Sequence, residues 1–378
     1  MNIPFNKPFI PWFSFRHLIR GALAGTIAGN GRYTKLCHAF FERKFGFEKV
    51  LMTTSCSDAL EMTAILGNVG PGDEVIMPSF TFMSTANAFL VRGAKVIFAD
   101  TLPGVPNIDP GGIESLITPR TKAIVVVHYS GIACDMDPIL DIAQRHGLVV
   151  VEDAAHAIDS YYKGKPLGSI GHFGTFSFHE TKNIISGEGG LLIVNDPASR
   201  KRAEIIWEKG TNRAAFYRGE IDRYGWVDIG SSYLPADAIA AFLYTQLIRF
   251  DRIQSARKKV WWNYYHALEG VEKAGFLQRP LLPDYATVNG NIFYVVLPSA
   301  EVRDALAAHL KKQGITALFH YLPLHSSPYY TARHDGRPLP NTDRFSATLL
   351  RLPFYNSLKN KEIQHIARNI NDFFTNRH

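Results

Sequence analysis

Between Glu48 and Asp196, short runs rich in Val, Ile and Phe alternate with stretches whose apolar residues recur at helical spacing. No other feature constrains the fold as strongly, because such alternation is the pattern of a largely parallel sheet covered by helices. The predicted strands are Glu74–Met77, Lys95–Asp100, Ala123–His128, Leu148–Glu152, Thr175–Phe178 and Leu191–Asn195. Helices are predicted between them at Ser57–Leu66, Ser84–Val91, Pro138–His146 and Ser199–Glu208. The architecture is therefore expected to be α/β, with a mostly parallel central sheet flanked by helices. After Asp222 the pattern changes to one long helix-like stretch, Pro235 to Leu268, an aromatic-rich strand at Ile292–Leu297, a helix at Ala300–Gln313 and an apolar segment at Ala317–Leu322. With 378 residues and 46% hydrophobic content, two domains are expected. They are a large domain over 1–250, including an N-terminal arm, and a smaller α+β domain over 251–378.

Several function classes are set aside on composition. The longest apolar runs, such as Gly147 to Val151, fall far short of the roughly 20 residues that cross a bilayer. Met1 to Ser14 lacks an apolar core behind a basic flank, so the protein is expected in the cytoplasm, without a membrane partner. Cys37, Cys56 and Cys134 show no CxxC spacing and are read as reduced packing residues, with no metal site. The formal charge of +7 is scattered along the chain, which argues against nucleic acid as a partner. Its densest groups, Arg257-Lys258-Lys259 and Lys311-Lys312, are read as solvated helix faces, and a modest positive charge suits an anionic small substrate.

Four local patterns carry chemistry. In Gly174-Thr-Phe-Ser-Phe-His-Glu-Thr-Lys182-Asn-Ile-Ile-Ser-Gly-Glu-Gly-Gly190, a strand ends near His179 and a lysine follows in a polar turn. That is the carboxyl edge where open α/β sheets bind ligands, although an ordinary surface lysine would read the same way. In Val149-Val-Val-Glu-Asp153-Ala-Ala-His156 an apolar strand stops at two carboxylates and an imidazole. A partly buried Asp153 needs a cation, such as a protonated pyridine nitrogen, unless it serves only as a helix cap. Thr53-Thr-Ser-Cys-Ser57-Asp58 opens a helix, where free N–H groups and the dipole favour phosphate. Pro78-Ser-Phe-Thr-Phe82 puts two aromatics at the same sheet edge, and spacing alone does not say which of Phe80 and Phe82 faces the site.

Taken in this order, the pieces resemble the sugar-nucleotide aminotransferases of the DegT/StrS type, within fold type I of the enzymes that use pyridoxal 5'-phosphate (PLP). The resemblance covers nearly the whole chain and rests on Glu152-Asp153-Ala-Ala-His156, Ser177-Phe-His-Glu-Thr-Lys182-Asn183, Gly187-Glu-Gly-Gly190 and Phe319-His320-Tyr321-Leu-Pro-Leu-His325. It implies that Lys182 holds PLP as a Schiff base and is the catalytic base. By the same resemblance Asp153 pairs with the pyridine nitrogen and His156, where relatives often carry Gln, sits beside the ring hydroxyl. Phe82 would stack on the ring, while Ser57, the Asp58 backbone N–H and Ser177 would hold the phosphate. Many relatives place an asparagine of a Gly-x-Asn-Tyr-Arg stretch on the neighbouring subunit's phosphate; here the stretch reads Gly230-Ser-Ser232-Tyr-Leu234, which puts the shorter Ser232 in that place.

Gly-Ser-Ser-Tyr-Leu, together with Glu208-Lys-Gly-Thr-Asn212-Arg213 and Asp222-Arg223-Tyr, is similar to a narrower branch that makes 4-amino-4,6-dideoxy sugars on dTDP, as in enterobacterial common antigen synthesis. The resemblance thus implies transfer of the amino group of L-glutamate to dTDP-4-keto-6-deoxyglucose, with the galacto product, in a homodimer with shared sites. The gluco epimer, a 3-amino sugar and a non-catalytic PLP-binding sensor are the alternatives. Arg213, Arg223, His320, Tyr321 and His325 are candidates for the sugar diphosphate, and Asn183 and His179 for the sugar. A sugar 3-dehydratase of the wider family would carry histidine in place of Lys182. A nicotinamide enzyme would need GxGxxG, whereas Gly168, Gly171 and Gly174 have another spacing, and His179-Glu-Thr-Lys-Asn lacks the second histidine of a zinc motif. Residues Arg213 to Trp226 are read as a loop that covers a site or crosses to a partner.

Overall fold

The computed structural model describes residues 2–23, 25 and 27–375. Its strands are β1 (Val50–Thr53), β2 (Glu74–Pro78), β3 (Lys95–Ala99), β4 (Thr121–Val127), β5 (Val149–Asp153), β6 (Tyr161–Tyr162), β7 (Lys165–Pro166), β8 (Phe173–Ser177), β9 (Gly190–Val194), β10 (Tyr294–Val296) and β11 (Leu349–Arg351). Seven of them form one sheet in the order β1-β9-β8-β5-β4-β2-β3. The run β8-β5-β4-β2-β3 is parallel, and β9 alone runs antiparallel to its neighbours β8 and β1. Each strand of the parallel run lies within two residues of a predicted one, as does β9. β1 was not predicted: it is four residues long, and its register comes from pairing with β9 rather than from its own pattern.

The pleat sends successive side chains to opposite faces, and two cores result. Met52, Ile76, Ile124, Val150 and Ile193 pack on one face, whereas Leu51, Val75, Val125, Val151 and Leu192 pack on the other. The second face is covered by the helices Cys56–Leu66, Met83–Leu90 and Arg200–Trp207. Chain order decides where a ligand fits. From β2 the chain moves outward to β3 and then returns to β4 on the other flank of β2, so the crevice beyond the carboxyl ends of these strands is the topological switch point.

Beyond the sheet, helix Phe250–Ala267 bridges two cores: Phe250 and Ile253 belong under the sheet, while Val260, Trp261 and Tyr264 pack with Phe293, Ile363, Ile366 and Ile370. β10 and β11 pair there, extended by bridges from Gln278 and Leu318. Ile3 is buried in this C-terminal core, its N–H donating to Gly314 O at 2.8 Å. The predicted helix over Pro235 to Leu268 is two helices, Asp237–Leu247 and Phe250–Ala267, broken at Ile248-Arg249. Arg257 also departs from its reading as a solvated cation. It is buried, with Nε donating to Gly290 O (2.8 Å) and Nη2 to Asn291 O (2.7 Å), and burial lowers its pKa to about 9. Lys258 beside it pairs with Asp159 at 2.7 Å, and Lys311 and Lys312 are exposed.

Candidate active site

The carboxyl edge of the parallel strands opens into a cavity of about 860 Å³. Lys182, Asp153, His156, Ser57, Ser177, Phe82, His320, Tyr321 and His179 all line it, although they are spread over 265 positions of the chain (Ser57 to Tyr321, counted inclusively).

β5 ends at two carboxylates, and the pleat separates their roles. Asp153 shares the face of Val151 and reaches the cavity; Oδ2 accepts from Thr85 Oγ1 (2.7 Å) and Oδ1 from Ala155 N–H (3.2 Å). Burial raises its pKa, against the hydrogen bonds of Thr85 and Ala155 and the charge of Lys182. Glu152, one residue earlier, points to the other face and is fully buried there. It accepts from Ile170 N–H (2.6 Å), Gly171 N–H (2.7 Å) and Gly168 N–H (2.8 Å), and contacts His128 Nε2 at 2.9 Å. It therefore fastens the turn that leads into β8.

Lys182 sits in the turn after β8, its backbone N–H bonded to His179 O at 2.9 Å. Among the described residues Nζ has no hydrogen-bond or ion-pair partner. Part of its surface is open to the cavity, yet protein packs densely around it; burial lowers its pKa to about 8, with Cys56 and Asp153 opposing and Arg351 assisting the shift. Such a lysine is an accessible amine whose proton is held weakly near neutral pH.

Helix Cys56–Leu66 begins at the cavity wall. Its cap is Ser55, in extended conformation, whose Oγ accepts from Asp58 N–H at 3.1 Å, and Ser57 Oγ donates to Ser84 Oγ at 2.7 Å. The Asp58 N–H expected on a phosphate is thus engaged in the cap, and its side chain accepts from Thr54 Oγ1. The glycine motif explains how the helix start comes so close to the sheet: a Cβ on Gly190 would lie 2.4 Å from the Ser55 carbonyl and 2.5 Å from Cys56 N. Cys56, read as a packing residue, in fact lines the cavity, and burial pushes its thiol pKa well up.

The two phenylalanines part ways. Phe80 is fully buried against Tyr129, Tyr321 and Phe345, whereas Phe82 is 49% exposed and lines the cavity. Opposite lies an aromatic wall: His320 stacks on Tyr321 at 3.7 Å, Tyr129 OH meets His320 Nδ1 at 2.6 Å, and Tyr321 OH lies 3.4 Å from His156 Nε2. His156 Nδ1 accepts from Ser130 N–H at 3.3 Å. Burial, followed by the charges of Lys182 and Arg351, drives the His156 pKa well below its usual value, so this imidazole is neutral at pH 7.

Five other expected site residues are not brought to the cavity. Asn183 is buried, its amide donating to Gln254 Oε1 and Asn289 O and its carbonyl accepting from Asn291 Nδ2 at 2.7 Å, so it braces the lysine turn from behind. His325 is buried against Ser79 Oγ (2.9 Å) and pins the end of β2. Arg213 starts a short helix, Arg213–Tyr217, and is spent on Tyr217 OH, while Arg223 is exposed. Ser232 is exposed and bridged to Glu208, outside this chain's cavity. Conversely, the sequence reading missed Arg351, at the end of β11, which with Lys182 supplies the cavity's lysine and arginine side chains. Its one sequence cue is an arginine inside the apolar run Leu349-Leu-Arg-Leu-Pro-Phe354.

Residues 14–371 match the model of the DegT/DnrJ/EryC1/StrS aminotransferase family. The chain belongs to that family. It is 33% identical over 350 residues, 88% of each chain, to the spore coat polysaccharide biosynthesis protein SpsC of Bacillus subtilis. Its fold matches the aminotransferase TlmJ of Streptoalloteichus hindustanus with a TM-score of 0.90 at 28% identity, covering both chains fully. It likewise matches the PLP form of the putative sugar aminotransferase Spr1654 of Streptococcus pneumoniae with a TM-score of 0.90 at 25% identity over 100% of this chain and 99% of that one. The fold is fold type I, and the protein is a PLP-dependent sugar aminotransferase. The cavity of this DegT-family chain fits the cofactor on three counts: an amine and a buried carboxylate that have no ion-pair partner among the described residues, and a helix start beside an exposed aromatic face. Among the described residues no cluster of His, Cys, Asp and Glu is placed to hold a metal, and no helix is long and apolar enough to cross a membrane.

Proposed function

We propose that this aminotransferase moves the amino group of L-glutamate to a nucleotide-linked 4-keto-6-deoxy sugar, dTDP-4-keto-6-deoxyglucose, giving dTDP-4-amino-4,6-dideoxygalactose for surface polysaccharide such as lipopolysaccharide or O-antigen. The observation that carries the transfer chemistry is the unpartnered Lys182 amine in one cavity with the buried Asp153. The choice of sugar rests on the wording of Glu208 to Arg213 and Gly230 to Leu234.

Bound PLP supplies an electron sink conjugated to the reacting carbon. Lys182 would hold it covalently and, as a free amine, would carry the proton lost from the donor Cα. Asp153 would keep the ring nitrogen protonated, its own ionisation favoured by that cation. Phe82 would cover one ring face. Ser57 and Ser177 would bind the phosphate, with the helix dipole, and neutral His156 would bond the ring hydroxyl as donor or acceptor. His320 and Tyr321 would contact the sugar nucleotide. Because both substrates use one cavity in turn, ping-pong kinetics follow.

The active unit in this reading is a cytoplasmic homodimer, each protomer built from a PLP domain over 1–250 and a small domain over 251–378. Exposed Trp12, Phe15, Ile19 and Leu23 on and beside helix Ser14–Leu23, with Trp226, Val227 and Ile229, support a covered apolar surface. Ser232, Arg213 and Arg223, outside this chain's cavity, would then act across the dimer. The test is incubation of holoenzyme with L-glutamate and dTDP-4-keto-6-deoxyglucose, followed by mass and NMR analysis of the product. An axial amine at C4 is expected; an equatorial amine, a 3-amino sugar or no amination would overturn the substrate assignment.

A further inference from the structure

Arg351 is the strong cation of the cavity that nothing in the transfer chemistry uses. Its backbone is fixed on both sides: it pairs with Tyr294 across β10, its N–H donates to Leu318 O (2.8 Å) and its carbonyl accepts from Leu318 N–H (3.0 Å). The side chain is held as firmly, with Nε (3.2 Å) and Nη2 (2.9 Å) both donating to Phe319 O and the guanidinium 4.8 Å from the centre of the Phe5 ring. Among the described residues Nη1 has no hydrogen-bond partner, and no carboxylate is paired with this charge. A half-buried guanidinium with a free donor edge, rigidly mounted in an aromatic wall, is a preorganised receptor for an oxyanion.

Two substrate oxyanions could meet it. The carboxylate of an α-amino acid is attached to the carbon that loses its proton, so its partner must sit close to Lys182. The diphosphate of a sugar nucleotide hangs from the anomeric carbon, separated from the keto carbon by the sugar ring, so its partner must sit farther out. Arg351 is joined to the near wall: Nη2 donates to Phe319 O (2.9 Å), His320 and Tyr321 follow directly in the chain, Tyr321 OH lies 3.4 Å from His156 Nε2, and Arg351 lines the same cavity as Lys182.

We propose that Arg351 binds a carboxylate of the amino donor and so selects an α-amino acid as the donor. The inference rests on the transaminase reading. Phe5, on the N-terminal arm, and Phe319 serve as positioning residues that keep the guanidinium aimed into the cavity, and enclosure by Tyr129, His320 and Tyr321 strengthens the pairing by excluding water.

The experiment compares wild-type holoenzyme with Arg351→Gln and Arg351→Lys in the two half-reactions separately, with glutarate binding to each holoenzyme measured by calorimetry. For Arg351→Gln, half-saturation by L-glutamate should rise about 10- to 100-fold, the worth of a charge-assisted contact, with the limiting rate changed much less. Glutarate binding should weaken in parallel, Arg351→Lys should recover part of both, and half-saturation by the keto sugar should stay within about threefold of wild type. Unchanged glutamate and glutarate affinity in Arg351→Gln overturns the proposal, as does a loss confined to the keto sugar, which would assign the arginine to the diphosphate. If wild-type holoenzyme itself does not react with L-glutamate, the reading of glutamate as donor fails, and this is visible without the variants.

Discussion

An ammonium group enclosed by protein loses hydration, and among the described residues Lys182 has no carboxylate in contact to replace it. Its amine should therefore bind PLP with a midpoint near pH 8, the rate of capture by apo-protein rising as the proton leaves. Arg351 helps to lower that value, so Arg351→Gln should move the midpoint upward; a wild-type midpoint near that of an ordinary lysine would contradict this. Lys182→Ala should abolish the visible band of the bound cofactor and lower turnover by at least about 10²-fold. Asp153→Asn should still bind the cofactor, weakly, but slow turnover by about 10²- to 10⁴-fold in steady-state assays, whereas near-normal turnover would reduce Asp153 to a cap. Lys182, Asp153 and Ser57 were legible because each sits where a strand ends or a helix begins, in a local pattern. Arg351 was not, because only the pairing of β10 with β11 carries it to a cavity built mainly by residues 55–188. Asn183 and His325 misled for the opposite reason: motif membership does not say which way a side chain points.

The same limit and the same strength appear among the elements. Adjacent carboxylates Glu152 and Asp153 looked alike in sequence, yet strand parity sends one to the cavity and the other to a turn, where three backbone N–H groups converge on it. Glu152→Ala would leave those donors and His128 without their acceptor, and should cost about 3–5 kcal/mol in denaturant unfolding while the folded fraction keeps its cofactor. A loss under about 1 kcal/mol would show that the turn holds without it. Gly190→Ala should act on function instead, pushing the start of helix Cys56–Leu66 away from β9 and weakening PLP binding in a titration; unchanged affinity would show that this close approach is dispensable. The central strands were legible because they are apolar throughout, and the helices between them because their apolar residues keep a 3.6-residue period. The break at Ile248-Arg249 was not, since no Gly or Pro marks it and both flanks keep the helical period.

At the scale of the molecule, the α/β order and the change of pattern after Asp222 were enough to place a ligand crevice at the sheet's carboxyl edge. How the N-terminus returns to the C-terminal core through Ile3, and how Phe5 reaches Arg351, depend on long-range contacts that no local pattern encodes. Exposed Trp12 and Trp226, each more than four-fifths accessible, should be buried in a dimer. Sedimentation of an active monomer would contradict the shared-site reading, and Trp12→Glu is expected to shift the equilibrium toward monomer. The most direct measurement is the absorbance spectrum of the PLP-loaded protein, recorded alone, after L-glutamate and again after dTDP-4-keto-6-deoxyglucose, with Lys182→Ala as control. The visible band should fall with glutamate and return with the keto sugar in wild type, and never form in the variant. A band that ignores both substrates, or one retained by Lys182→Ala with full turnover, would contradict transamination at this lysine.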